Sequence, residues 1–339
     1  MNTVYAIVIF LITFFLYLHI KYNYQTSNDL EIYNINEISK DKFEEICDLK
    51  QPMIMPFNIA NEKLNKEYLL MQYGNFNLNI INKTENANAP LYLNSCNKLF
   101  LNDKTQNYYT ENNIDFLQET CIDKILQYFD AYFRPILVSE CNYDIIYGSH
   151  NTYIPLRHEI NYRNIVYLHN GSCDIMLTPP KSKKYLHATN DYYNMNFISK
   201  VNPWDVQDCY LADVDKIKFL NISLEKDKIL IIPPYWWYSI KLKKDTELYF
   251  FKYNTYTNNI SNLPYLIRHM LQKLNTKIKY NKILSNTSNE VDEVDEVDEL
   301  TIKANNDVES NAESKAEVES KAENKQLDDE LYKQTSSKI

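Results

Sequence analysis

The chain has 339 residues, enough for one large domain or two ordinary ones with a complete core. Tyrosine (29) and phenylalanine (14) are abundant while glycine occurs three times, which predicts an aromatic core with few positive-φ turns. The net charge of -9 comes largely from the last sixty or so residues, no basic patch with interleaved aromatics marks a nucleic-acid surface, and six scattered cysteines without a CxxC pair read as reduced, buried thiols rather than as a disulfide framework.

Residues 1–22 read as a transmembrane anchor. The run Val4 to Ile20, "VYAIVIFLITFFLYLHI", is apolar throughout, and as a helix it spans roughly 25 Å, the thickness of a thin bilayer. A cleaved signal peptide would need basic residues before the run and a small-residue site after it. Neither is present. The expected partner of residues 4–20 is therefore the lipid bilayer. Lys21, Lys40, Lys42 and Lys50 all follow the run, so the positive-inside rule predicts a single-pass protein with a cytosolic body. The sequons at Asn82 and Asn170 point the other way, but such triplets arise by chance in a chain this rich in asparagine.

After a linker, 23–30, the region 31–280 has the pattern of a folded domain. Ser39 is placed to cap a helix with Phe43, Ile46 and Leu49 on one face, and "PMIMPF" reads as a buried strand. Asn113 is placed to cap a longer helix on which Leu117, Cys121, Ile125 and Phe129 recur every four residues. Between Cys141 and Tyr256 follow short apolar strands: "YDIIYG", "RNIVYLHN", "DIMLTPP", "KILIIPP" and "ELYFFKY". Strand after strand without helical periodicity predicts a barrel or sandwich.

Leu263, Leu266, Ile267, Met270, Leu271, Leu274 and Ile278 then fall on one stripe of a helix over 263–278. That helix is expected to pack on its own domain, with a homodimer seam as the alternative. The last segment, 281–339, carries "VDEVDEVDEL" and "ESNAESKAEVESKAENKQ", acidic low-complexity sequence with too little apolar surface to offset ordering entropy. It is expected to be a disordered tail.

The stretches "RHEINYRNIVYLHNGSCDIMLTPP" and "ILIIPPYWWYSI" resemble the cupin-like JmjC hydroxylases, in the branch that contains the asparaginyl hydroxylases. Asn164, Gly171, Leu177, Pro179, Pro180, Ile232, Pro233, Tyr235, Trp236 and Trp237 match that family's pattern over Glu31 to Tyr256. The resemblance implies a mainly β fold with flanking helices, a double-stranded β-helix of the jelly-roll kind, with N-terminal helices and a C-terminal helix. It also implies a site for Fe(II) and 2-oxoglutarate, in which two histidines and a carboxylate hold the metal.

The family's ligand positions carry other residues here. Its distal histidine corresponds to Tyr238, whose phenol stays protonated near neutrality at an ordinary pKa of about 10. The first histidine and the aspartate correspond to His158 and Ile160 in one register and to Arg157 and Glu159 in the other. In the second register the two charges share a strand face and are placed to neutralise each other. The lysine that pairs with 2-oxoglutarate corresponds to Cys173, with Arg157 or Arg163 as replacements from a neighbouring strand. His158 and His169 have opposite strand parity, so a metal site built from them with Glu159 is not expected.

Arg157, His158, Glu159, Asn164, Cys173 and Tyr238 are accordingly the pocket residues, with no catalytic residue, no metal ligand and no cofactor assigned. The expected function is that of a membrane-anchored pseudoenzyme, a binding or structural module. The alternative is an active Fe(II)/2-oxoglutarate protein hydroxylase with altered ligands. Asn, Lys, Ile and Tyr are enriched together, as AT-rich coding favours, and together with the resemblance this suggests a large DNA virus and a virion or virus-modified membrane.

Overall fold

The computed structural model describes residues 2–36, 39–85 and 87–275. The tail expected over 281–339 and Ile278 lie outside the described residues. The chain divides into two units after Met270, and of the second unit only Leu271–Asn275 is described.

The described residues form nine α-helices: α1 (Asn2–Tyr24), α2 (Lys40–Cys47), α3 (Lys66–Tyr73), α4 (Leu93–Asn102), α5 (Ile114–Glu119), α6 (Ile122–Phe129), α7 (Leu211–Val214), α8 (Tyr256–Ser261) and α9 (Leu263–Lys273). The strands are β1 (Tyr33–Asn34), β2 (Met53–Pro56), β3 (Asn77–Asn82), β4 (Ala87–Tyr92), β5 (Tyr108–Thr110), β6 (Val138–Ile146), β7 (Tyr153–His158), β8 (Arg163–Asn170), β9 (Ser172–Thr178), β10 (Ala188–Asp191), β11 (Asn196–Ser199), β12 (Leu220–Glu225), β13 (Lys228–Ile232), β14 (Trp237–Leu242) and β15 (Glu247–Thr255). The protein is thus mainly β with flanking helices. One six-stranded sheet has the order β1-β2-β13-β8-β15-β6, the other β10-β11-β7-β14-β9-β12, and a small third sheet runs β4-β3-β5.

Strand alternation explains how the layers stack. On the first sheet, Ile165, Tyr167, Ile229, Ile231, Tyr249 and Phe251 face the helices and meet Phe43, Leu69, Leu93, Phe116 and Leu126. The intervening residues Val166, Leu168, Leu230, Ile232, Leu248 and Phe250 face the second sheet and meet its Ile154, Cys173, Ile175, Leu177, Ile240 and Leu242. The central strands are therefore buried on both faces, which is why β8, β13 and β15 read as nearly continuous apolar runs. The outer face of the second sheet carries a smaller cluster, Leu156, Leu186, Ile217 and Trp237.

Ser39 caps α2 as expected, accepting from the Lys42 amide, and Phe43 is buried while Leu49 is exposed. The single long helix expected after Asn113 is instead two. Cys121 takes a left-handed conformation (φ 57°) between α5 and α6, so the four-residue repeat restarts there: Ile122 and Leu126 are buried and Cys121 is exposed. The Asn113 side chain does not cap α5; its Oδ1 accepts from the Asn79 amide and ties the third sheet to the loop.

Few positive-φ turns were expected from three glycines, yet eleven non-glycine residues among those described take positive φ, Tyr235 (66°) and Asp227 (58°) among them. Only Gly171 uses glycine for this purpose (φ 77°), and a Cβ there would stand 2.5 Å from the Asp245 carbonyl oxygen. Tight strand connections are made with Asn151, Met195, Asp227, Tyr235 and Asp245, held by the packing around them.

Helix α1 is long and apolar enough to cross a membrane over Thr3–Tyr24, and its span is unburied. Its last turn is docked on the domain rather than joined by a free linker. Tyr24 donates to the Ser261 carbonyl (2.6 Å) and stacks on Tyr235, and the Lys50 ammonium bonds the Tyr22 carbonyl. Residues 26–29 continue along the domain, with Thr26 donating to the Lys50 carbonyl and Gln51 donating to both Ser27 and Asp29.

The apolar stripe of the last helix does not pack on the domain as expected. Leu263, Ile267 and Met270 are exposed, while the opposite face, Tyr265 and His269, packs on Tyr192 and Phe197. Aromatic contacts and a hydrogen bond to the Tyr192 carbonyl set the helix rotation, not the aliphatic periodicity.

Candidate functional site

The site lies between the two six-stranded sheets at the β7–β14 end. Strand β7 pairs with β14 as Trp237↔His158 and Tyr238↔Arg157, then as Ile240↔Ile154 beyond a bulge. The extra residue in β7 inverts its alternation. Ile154 faces inward, and after the bulge Arg157 does too, with Glu159 following on the same side. Leu156 and His158 face outward.

The structure therefore brings Arg157, Glu159 and Tyr238 together and separates them from His158. The His158 ring stacks on Phe197 (5.0 Å between centroids) and meets Trp237 edge-on (4.6 Å). Burial, with help from the Lys183 charge, pushes its pKa down to about 4, so it is a neutral aromatic of the outer layer.

The charges at the site are not paired in the way the sequence suggested. Arg157 and Glu159 do not neutralise each other. The Arg157 guanidinium makes a two-pronged pair with Glu111, whose second contact is 3.0 Å, and Glu159 takes the Lys252 ammonium at 2.9 Å. The Tyr238 hydroxyl donates to the same Glu159 oxygen at 3.2 Å. Two cations and two anions thus close a compact network under Tyr238.

Burial dominates the electrostatics, and the pairing overcomes it. Burial works against the charge on Arg157, but Glu111, with Tyr109 and Tyr238, holds the guanidinium protonated well above its ordinary range. Burial pushes the Glu159 carboxyl up, but Lys252 and Arg157 outweigh it and keep the pKa below the usual value. Burial likewise opposes the Lys252 charge, and Glu159 and Glu111 raise its pKa. Burial and the neighbouring Glu159 drive the Tyr238 phenol far up, so it is a donor and not a phenolate.

Asp144 fixes the loop that delivers Glu111. Its carboxylate accepts from the backbone amides of Asn112 (2.8 Å) and Asn113 (2.9 Å), while its pKa is raised by burial. Asn164 stands directly across from Lys252 on the neighbouring strand, faces the inter-sheet layer and is 1% exposed. Neither its Oδ1 nor its Nδ2 has a partner among the described residues.

The other pocket residues lie elsewhere. Cys173 is buried in the inter-sheet core beside Ile175 and Leu177, and burial pushes its thiol pKa far up. Arg163 points to the helix side of β8, bonded to Glu44 (2.6 Å) and the Phe133 carbonyl, so it cannot serve the same pocket. His169, on that same side, bonds Tyr167 and Asn65. Among the described residues no three of His, Cys, Asp and Glu gather as a metal-ligand set. All six cysteines are free.

Sequence reading missed Glu111 and Lys252. Lys252 had a signal: in "ELYFFKY" it alternates with Leu248 and Phe250 and so is a charge on an apolar strand face. Glu111 had none, because it arrives from a loop beyond the small sheet. No family model matches the chain, and no curated protein matches it.

Proposed function

We propose that this chain is a membrane-anchored, cupin-like (JmjC-like) domain with a double-stranded β-helix arrangement, acting as a binding or structural module and not as an oxygenase. The observation that carries the reading is the closed network Glu111–Arg157, Lys252–Glu159–Tyr238 at the positions that the resemblance equates with metal ligands. The two facing six-stranded sheets support the fold assignment.

The residues present do not fit an iron centre. The one carboxylate at a matched position, Glu159, is taken by a lysine and a tyrosine, Arg157 brings a positive charge, and the His158 imidazole is turned to the outer face. The body is read as cytosolic. The exposed stripe of α9 is the surface proposed for a second copy, read out by the oligomeric state of an Ile267→Asp variant.

A second reading, an Fe(II)/2-oxoglutarate protein hydroxylase with altered ligands, is favoured by Asn164, whose unpartnered amide faces the inter-sheet layer beside Lys252 as an acid-binding pocket would require. Metal analysis and co-substrate turnover separate the two. The purified chain is expected to hold no stoichiometric iron and to consume no 2-oxoglutarate with or without peptide. A Tyr238→His variant is expected to behave the same way, since Arg157 and Glu111 remain. Tight iron binding with 2-oxoglutarate consumption would replace the first reading by the second.

A further inference from the structure

A pocket of about 350 Å³ lies away from the inter-sheet network, lined by Leu30, Lys181, Ser182, Lys184, Tyr185, Lys216 and Lys218. Four of its seven lining residues are lysines and none is acidic. Ammonium groups repel one another, so a concave surface built this way is stable only when the charges are dispersed into solvent or met by an anion.

The local contacts leave much of that charge unmet. Lys216 is paired with Asp213 at 2.9 Å, outside the lining, and Lys181 donates to the Asn28 carbonyl at 3.2 Å. Lys184 lies over the Tyr185 ring at 4.6 Å, which orients the ammonium without neutralising it. The Lys218 ammonium has no partner among the described residues.

The walls are fixed. Ser182 is buried and its hydroxyl bonds Thr178 (2.7 Å), Ile217 and Leu186 are core residues between the lysines, and Tyr185 packs against them. The remaining wall comes from the segment that leaves the anchor: the Lys181 amide is held by the Asn28 side chain (3.2 Å), and Leu30 lines the pocket. Leu30 lies six residues after Tyr24, so the pocket lies within roughly 20 Å of the end of the anchor helix.

The geometry points to a binding site for a ligand bearing several phosphate groups, held by Lys181, Lys184, Lys216 and Lys218 beside the membrane. A multiply charged phosphate ester matches both the number of ammonium groups and the absence of an acidic wall. Such phosphates reach the pocket from a lipid headgroup or from solution.

The test uses the full chain in nanodiscs. Inositol trisphosphate is titrated by calorimetry against nanodiscs of phosphatidylcholine alone, and separate nanodiscs carry a phosphatidylinositol bisphosphate. Saturable one-to-one binding of the soluble ester assigns the ligand to solution. Protection of Lys184 and Lys218 from acetylation only in the phosphoinositide nanodiscs assigns it to the headgroup.

In either case Lys184→Gln with Lys218→Gln is expected to weaken binding at least tenfold, Lys184→Arg with Lys218→Arg to retain most of it, and Lys98→Gln with Lys124→Gln, the same charge change elsewhere, to leave it unaltered. Thermal midpoints report whether each variant is folded. Absence of both binding and protection, or an equal loss in the Lys98/Lys124 variant, overturns the proposal.

Discussion

Tyr238 and its partners show how a charged cluster is tolerated between two sheets: every ion is paired, and each pair is reinforced by a hydrogen bond or a second charge. Removing one member is costlier than removing a pair. Glu111→Gln should destabilise the protein by about 3–5 kcal/mol, because it leaves the Arg157 guanidinium buried without a carboxylate. Glu111→Leu combined with Arg157→Met should recover most of that loss. Tyr238→Phe removes one buried hydrogen bond and should cost about 1 kcal/mol. Denaturant unfolding followed by tryptophan fluorescence measures all three. A Glu111→Gln effect no larger than that of Tyr238→Phe would show that the ion pair is not an energetic centre of the site.

Glu247 governs a different property at the same scale. Burial raises its pKa from 4.5 to about 7, against opposing help from Asn170 and Lys66. The native protein then keeps a proton that the unfolded chain releases, so its contribution is most favourable below pH 4.5 and declines until about pH 7. His158 acts in the opposite sense. Its folded pKa of about 4 lies below the usual value, so its contribution improves as pH rises from about 4 towards 6.5. The two compensate in the overlapping range. Glu247→Gln should therefore raise stability by up to roughly 3 kcal/mol at pH 8 and change it little at pH 4.5. Equal effects at the two pH values would show that Glu247 titrates normally.

At the scale of elements, two connections are critical. The β8–β9 turn depends on Gly171, where positive φ and the nearby Asp245 carbonyl leave no room for a side chain. Gly171→Ala should cost about 2 kcal/mol or more and lower the thermal midpoint accordingly. The second is the junction of α1 with α8 and Lys50. A soluble chain beginning at Lys21 retains the Tyr24–Ser261 and Tyr24–Tyr235 contacts, whereas one beginning at Leu30 loses them. The longer form should melt several degrees higher, since about 1 kcal/mol corresponds to about 2–4 °C at this size. Equal midpoints would show that the docked turn contributes nothing to the fold.

At the scale of the molecule, helix α1 and the two-sheet body belong to one unit, in which the exit of the helix is fixed by the Tyr22, Tyr24 and Lys50 contacts. Full-length protein should stay with membranes through carbonate washing, and deletion of residues 1–20 should release it. Recovery of a mature chain beginning after Lys21 would establish a cleaved signal peptide instead. The docked junction predicts little freedom between helix α1 and the body, although residues 23–30 read as a linker in the sequence.

The sequence by itself determined the apolar helix, the strand-rich region between Cys141 and Tyr256, and the placing of several helices before most of the strands, because these depend on local periodicity and on burial of whole runs. It also put Arg157 and Glu159 on one strand face in one of the two registers it left open, since strand alternation fixes which residues share a face. The bulge in β7, with its extra residue, turns Arg157 inward and His158 outward, which strand alternation alone does not foretell. The partners of the inward charges, Glu111 and Lys252, come from distant parts of the chain, and so do the lysines gathered around the Asn28–Leu30 segment. Only tertiary structure decided those, because long-range pairing of charges follows from how sheets and loops meet and leaves no spacing in the sequence.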